Sequence, residues 1–219
     1  MIANHLFDFF TDGLDSQNIT YSAKQVDACI AYIELLQKWN KVFNLTSIID
    51  PKEMIQLHLL DSLSIVPQLI SDCHFNQKNL NVADVGTGAG LPGIPLAIFF
   101  PDIQFTLIDA REKKTRFLNQ VKSTLQLTNV TPLHCRVEKY MPEQTYDLVI
   151  TRAFSSMKDM LEITQHLCHT NGLFLAMKGH HPAENLQDMT ANIRWIKTQD
   201  VSVYKLDANR CTVLFQKQS

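Results

Sequence analysis

The stretch from Leu80 to Ile98, Leu-Asn-Val-Ala-Asp-Val-Gly-Thr-Gly-Ala-Gly-Leu-Pro-Gly-Ile-Pro-Leu-Ala-Ile, constrains the chain more than any other. A short apolar run, Val82 to Val85, breaks into glycines at Gly86, Gly88, Gly90 and Gly93. An apolar stretch follows, with Pro95 suited to a first helical turn. That order predicts a strand, a tight turn and a helix start. Glycine has no Cβ, so the backbone of such a turn and the N–H groups of the helix start stay open to a ligand. Of the chain's seven glycines, four lie in this turn, a concentration no linker needs. The stretch reads as a nucleotide-type pocket.

Two ligand classes fit it. Gly88-Ala89-Gly90-Leu91-Pro92-Gly93 matches the G-x-G-x-x-G of dinucleotide sites. Read from Gly86, the same residues give G-x-G-x-G behind Asp84, which looks like motif I of S-adenosylmethionine-dependent methyltransferases. Both need a second strand ending in an acid that binds a ribose. Ile103 to Ile108 supplies the strand and Asp109 the acid, although Asp109 also suits the N-cap of the next helix. A hydride-transfer enzyme needs further residues, such as a Tyr-x-x-x-Lys pair. Neither Tyr140 nor Tyr146 has a lysine four residues on.

With 219 residues, 45% hydrophobic and 19% charged, the chain can bury a sizeable core as one large domain or a domain with an appendage. No apolar run approaches the roughly 18 residues of a membrane span. The first residues, with Asp8, Asp12 and Asp15, lack the basic region of a signal peptide. Cys29, Cys73, Cys135, Cys168 and Cys211 show no C-x-x-C spacing, so reduced thiols and a cytoplasmic protein are expected. A net charge of −2 argues against indiscriminate coating of nucleic acid. Residues 1–80 carry 5 Lys/Arg against 9 Asp/Glu, and 81–219 carry 15 against 13. Contact with an anionic polymer is therefore expected mainly on the later part.

A short helix is expected over 4–14, with Leu6, Phe9 and Phe10 on one side. Ser22-Ala23-Lys24-Gln25 is a capping box, and Val26, Cys29, Ile30, Ile33 and Leu36 then recur as one apolar stripe. Asp50-Pro51 caps another helix, carrying Met54, Leu57, Leu60 and Ile65. From residue 80, strand patterns at 81–86, 103–109, 130–135, 146–151 and 172–178 alternate with helical ones at 94–100, 112–126, 157–169 and 183–193. Such alternation implies an α/β fold, a parallel sheet with helices on both faces. Pro132 suits a sheet edge. Two final strands, 194–205 and 211–217, have no helix between them and should be antiparallel. The expected division is a helical segment over 1–78 and the α/β domain over 79–219.

Several further segments make the resemblance specific. They are Leu36-Gln37-Lys38-Trp39-Asn40-Lys41-Val42-Phe43-Asn44-Leu45-Thr46-Ser47, His58-Leu59-Leu60-Asp61-Ser62, the glycine stretch with its Leu-Pro-Gly ending, and Lys113-Lys114-Thr115-Arg116-Phe117-Leu118. Arg136-Val137-Glu138, Thr151-Arg152-Ala153-Phe154 and Lys178-Gly179 complete the set. Together they resemble the bacterial 16S ribosomal RNA guanine-N7 methyltransferases, the glucose-inhibited division protein B family. That resemblance implies a class I S-adenosylmethionine-dependent methyltransferase, Rossmann-like, with a seven-stranded mostly parallel sheet behind an N-terminal helical segment. It implies S-adenosylmethionine as cofactor and the RNA of the small ribosomal subunit as partner, with no metal, no membrane and a monomeric protein. Gly86, Gly88, Leu91, Asp109, Val137, Glu138 and Arg152 then fall on the cofactor. On the RNA side fall His58 and Asp61, which share a helix face at i, i+3, and Lys113, Lys114 and Arg116 of a basic run. Arg136, Phe154 and Lys178 complete that side. Two departures from the family pattern are Ala110 after the ribose acid and Lys113-Lys114 in the basic pair.

The chemistry is read partly from what is missing. Enzymes that methylate an exocyclic amine carry Asp/Asn-Pro-Pro-aromatic after the fourth strand, whereas Thr151-Arg152-Ala153-Phe154 stands here. None of the five cysteines follows Pro or Thr, as the nucleophile of a pyrimidine-carbon methyltransferase does. Guanine N7 presents a free lone pair and needs neither a base nor a covalent intermediate, only alignment with the methyl group. No catalytic acid or base is therefore expected, and Phe154 is suited to stack on a base. His166, Cys168 and His169, like His180-His181, lack a second ligand pair at zinc spacing. Rival readings are a small-molecule methyltransferase, an NAD-dependent oxidoreductase and a non-catalytic adenosine-nucleotide-binding module.

Overall fold

In a computed structural model, residues 4–152, 154, 156–183, 185–187, 189–190 and 192–218 are described. Helix α1 spans Asn4–Ser16 and α2 spans Ala23–Phe43. The capping box at the start of α2 forms as expected: Gln25 N donates to Ser22 Oγ and Ser22 N to Gln25 Oε1. Its buried stripe is Val26, Cys29, Tyr32, Ile33 and Leu36. Tyr32 takes the place expected for Ile30, which is only half-buried. Asp50 caps α3 (Pro51–Met54) by accepting from Glu53 N at 3.0 Å. The chain then widens into a π-helical stretch, Ile55–Leu60, before α4 (Asp61–Leu63) and α5 (Val66–Asp72). Such widened turns recur at functional sites. This one carries His58 and leads into Asp61, both buried.

Strands β1 (Asn81–Val85), β2 (Gln104–Asp109), β3 (Val130–His134), β4 (Tyr146–Thr151) and β5 (Cys168–Lys178) pair in parallel. Helices α6 (Gly93–Phe99), α7 (Glu112–Leu125) and α8 (Met157–Thr164) connect them. Strands β6 (Ile193–Asp200) and β7 (Cys211–Lys217) close the sheet antiparallel, in the order β3-β2-β1-β4-β5-β7-β6. This is the seven-stranded, mostly parallel sheet that the resemblance implies. β3 is an edge strand, so Pro132 removes no ladder bond from the sheet's interior.

Two-residue alternation divides the core. Val82, Leu107, Leu148 and Ile150 face the N-terminal helices, α6 and α7, in one continuous apolar cluster. Ala83, Val85, Ile108 and Val149 face α8 in a second.

Two helical expectations fail. The described residues of 183–193 are not helical; they form bends and a turn, and Thr190 bridges Ile193. Ile193 is instead the buried first residue of β6, opposite Lys217. The helix expected over 157–169 ends at Thr164, followed by a 3-10 turn at Gln165–Leu167. Cys168 and His169 already belong to β5, because Cys168 pairs with Tyr146. At the other end, β6 stops at Asp200 rather than 205, and 201–210 form the crossing to β7.

Candidate functional site

The sheet order reverses between β1 and β4, where open α/β sheets hold ligands beyond the strands' carboxyl ends. The glycine turn stands there. Gly86, Gly88 and Gly90 have φ of 72°, 60° and 96°, a region that L side chains rarely adopt. Gly86 N and Thr87 N both donate to Ile108 O, fastening the turn to β2. Asp84 is 1% exposed, and its Oδ2 accepts from Thr87 Oγ1 at 2.6 Å and Gly93 N at 2.8 Å. Burial pushes its carboxyl up to about 6 despite those bonds. From the other side, the buried Tyr32 hydroxyl of α2 donates to Ala89 O at 2.9 Å. The stripe expected for α2 included Ile30 and not Tyr32, so this anchor was missed.

Two of the glycines do different work. A Cβ on Gly90 would lie 2.5 Å from Ile94 Cγ1 and 2.8 Å from Leu118 Cδ2, so its hydrogen makes room for packing. A Cβ on Gly88 would meet nothing nearer than Gly86 O at 3.9 Å and would project into open space. That space belongs to a cleft walled by Asp109, Val137, Glu138 and Phe154 beside Gly86 and Gly88. A second cavity that reaches the same glycines is lined by Thr46, Leu91, His58 and Arg152.

Asp109 ends β2 with both oxygens engaged: Oδ2 accepts from Gly88 N at 2.9 Å and Oδ1 from Arg111 N at 2.8 Å. Arg111 occupies the N-cap position of α7, so Asp109 is not the cap residue. Val137 is buried and Glu138 exposed in a 3-10 turn beyond β3.

Arg152 leaves the end of β4 and turns toward the N-terminal helices. Its Nη1 donates to Leu57 O at 3.2 Å and to Asp61 Oδ2 at 3.1 Å. Asp61 Oδ1 accepts from Arg210 Nε at 2.7 Å, so one buried carboxylate ties two guanidiniums together. Arg210 was missed in the sequence because it lies 149 residues from Asp61, in the β6–β7 crossing. His58 Nε2 lies 3.0 Å from Thr46 Oγ1. Burial, reinforced by nearby Arg152, lowers the imidazole's pKa to about 4, so it is neutral at pH 7. Beyond His58 and Arg152, a further cavity opens between Asp61, Lys178 and Arg210.

The basic run is anchored partly by backbone carbonyls. Lys113 Nζ donates to Phe43 O at 2.9 Å and Lys114 Nζ to Leu45 O, holding the carbonyls at the end of α2. Lys114 is buried in the cleft wall. Of the three, Arg116 is the surface cation, paired with Glu112 at 2.7 Å on α7. Arg136 is exposed at the outer rim of the Asp109 side, and Phe154 stands in that wall. Lys178 Nζ donates to Phe154 O at 2.8 Å. Among the described residues, no three His, Cys, Asp or Glu side chains form a metal-ligating group. His166 bonds Tyr140 O, His169 bonds Asp147 and His181 bonds Asp200.

A family model described as GidB, rRNA small subunit methyltransferase G, matches residues 25–214. The chain is 43% identical over 217 residues to the ribosomal RNA small subunit methyltransferase G of Alteromonas mediterranea, covering 99% of each. Among solved structures, an N-methyltransferase, NodS of Bradyrhizobium japonicum in complex with S-adenosyl-L-homocysteine, superposes with a TM-score of 0.56 at 11% identity, over 84% of this chain and 99% of that one. A point mutant of MtNAS in complex with S-adenosylmethionine superposes with a TM-score of 0.60 at 13% identity, over 86% and 75%.

Proposed function

The chain belongs to the rRNA small subunit methyltransferase G family, and from that premise we propose that it transfers the methyl group of S-adenosylmethionine to N7 of one guanine in 16S ribosomal RNA. The observation that carries the reading is the cleft at Gly88, with Asp109 bonded to the Gly88 amide at its floor. S-adenosylmethionine, when bound, supplies a methyl group on a positively charged sulfur.

The residues fit such a guest. Asp109 has two lone-pair sites beyond those used by Gly88 N and Arg111 N, enough for two ribose hydroxyls. Gly86 and Gly88 let the ligand approach the backbone, while Leu91 and Val137 give apolar walls. Glu138 lies at the adenosine end and Arg152 at the amino-acid end, where its fork suits a carboxylate. His58, Asp61 and Lys178 stand beyond Arg152 on the acceptor side, with Lys113, Lys114, Arg116, Arg136 and Phe154 around the mouth. Lys113 and Lys114 serve there chiefly by fixing the loop at 43–45. The work of the chain is alignment and exclusion of water. N7 carries no proton, so a neutral His58 has none to remove. The protein acts in the cytoplasm, where ribosomes are assembled, as a monomer.

Labelled S-adenosylmethionine, incubated with the protein and small subunits from an undermethylated strain, tests this. Label on N7 of one ribosomal guanine is the expected result. Label on another RNA atom, or none, refutes it.

A further inference from the structure

The cavity beyond Arg152 shares His58 and Arg152 with the second cavity at the glycines, so whatever occupies it lies next to the donor end of the cofactor site. Its walls combine apolar side chains, Leu57, Ile65, Met177 and Val201, with the buried carboxylate of Asp61. That combination suits a flat base with polar groups on its edge. Arg152, Arg210 and Lys178 stand in the same walls, and Asp61 is the lining group that can accept from the N–H edge of a base. Arg210 donates Nε to Asp61 and Nη1 to Asn209 O, which holds the carboxylate in place.

A carboxylate offers about four lone-pair sites. Arg152 and Arg210 use one on each oxygen of Asp61, which leaves two. Guanine presents two adjacent donors, N1–H and the N2 amino group, on the edge opposite N7. Adenine presents an acceptor at N1 and no N2 amine. We propose that Asp61 reads the N1–H and N2 edge of the acceptor guanine in this cavity, leaving N7 free, and that Arg210 is the positioning residue that fixes the carboxylate. This rests on the methyltransferase reading above and adds to it the determinant of base choice.

The test replaces the single labelled guanine, located as above, by inosine in ligated small-subunit RNA. Inosine keeps N7, O6 and N1–H and lacks only the N2 amine. A site built to bond that amine should transfer to inosine on the order of ten- to a hundredfold more slowly than to guanine. In Asp61→Ala the guanine-to-inosine ratio should fall to within about threefold of unity, whereas a merely structural role would slow both bases and preserve the ratio. Arg210→Met should reduce the ratio and Arg210→Lys restore part of it, with S-adenosylhomocysteine affinity within about threefold of the wild type. Equal wild-type rates on guanine and inosine, or a ratio that survives in Asp61→Ala, would overturn the proposal. The wild-type comparison decides it even if Asp61→Ala fails to fold. A wild-type protein that labels no ribosomal guanine refutes the methyltransferase reading instead.

Discussion

Adding one methyl group to Gly88, and separately one to Gly90, distinguishes space kept for a ligand from space used for packing within a single turn. In Gly88→Ala the new Cβ has no neighbour within 3.9 Å, and the cost to the fold is conformational. A left-handed backbone costs alanine about 1–2 kcal/mol, and the stiffer unfolded chain returns about 0.4–1 kcal/mol. The net, about 1 kcal/mol, lowers Tm by about 2–4 °C in a chain of this size. Its methyl, however, stands in the cleft and should weaken S-adenosylhomocysteine binding at least about tenfold, or about 1.4 kcal/mol. In Gly90→Ala the same backbone cost is joined by contacts of 2.5 and 2.8 Å to Ile94 and Leu118. Overpacking of that kind adds about 1–3 kcal/mol, so Tm should fall by on the order of 10 °C. Scanning calorimetry measures the first quantity and titration calorimetry the second. Wild-type affinity in Gly88→Ala, or an unchanged Tm in Gly90→Ala, would refute the division of labour.

Other variants test the supports of the site. Asp84, raised to about 6, makes stability fall as pH rises from about 4 to 6, because the native state holds the proton longer. His58, lowered to about 4, makes stability rise between about pH 4 and 6.5, because the unfolded state takes up the proton first. The two oppose one another. Relative to wild type, urea titrations of Asp84→Asn should therefore show a steeper rise with pH in this window, and those of His58→Gln a steeper fall. Identical slopes in all three proteins would contradict both assignments. Tyr32→Phe removes the buried bond to Ala89 O and should cost about 1 kcal/mol in chemical denaturation. Arg152→Ala should weaken S-adenosylhomocysteine binding at least about tenfold in calorimetry. Full affinity would remove Arg152 from the cofactor site.

Local physics explains which features were legible. The glycine turn, the capping box at Ser22, the edge position of Pro132 and the strand ending at Asp109 each rest on residues within a few positions of one another. The directions of the strands followed from strand–helix alternation and from the lack of a helix before the last strand. At 183–193 the pattern misled, because Ile193 looks like a helix-face residue until β7 offers it a partner. The Asp61 bridge could not be read locally, since its arginines arrive from 91 and 149 residues away. The bonds of Lys113 and Lys114 to Phe43 O and Leu45 O were likewise not legible locally, since those carbonyls lie about 70 residues away in the chain.

The cleft's identity is tested most directly by titration calorimetry of the purified chain with S-adenosylhomocysteine and with NADH, repeated on Asp109→Ala. A saturable heat with S-adenosylhomocysteine is expected, weakened by about a hundredfold in the variant, which loses two charge-assisted bonds to the ribose, with no heat from NADH. Saturable binding of NADH with none of S-adenosylhomocysteine, or equal affinity in Asp109→Ala, would contradict it.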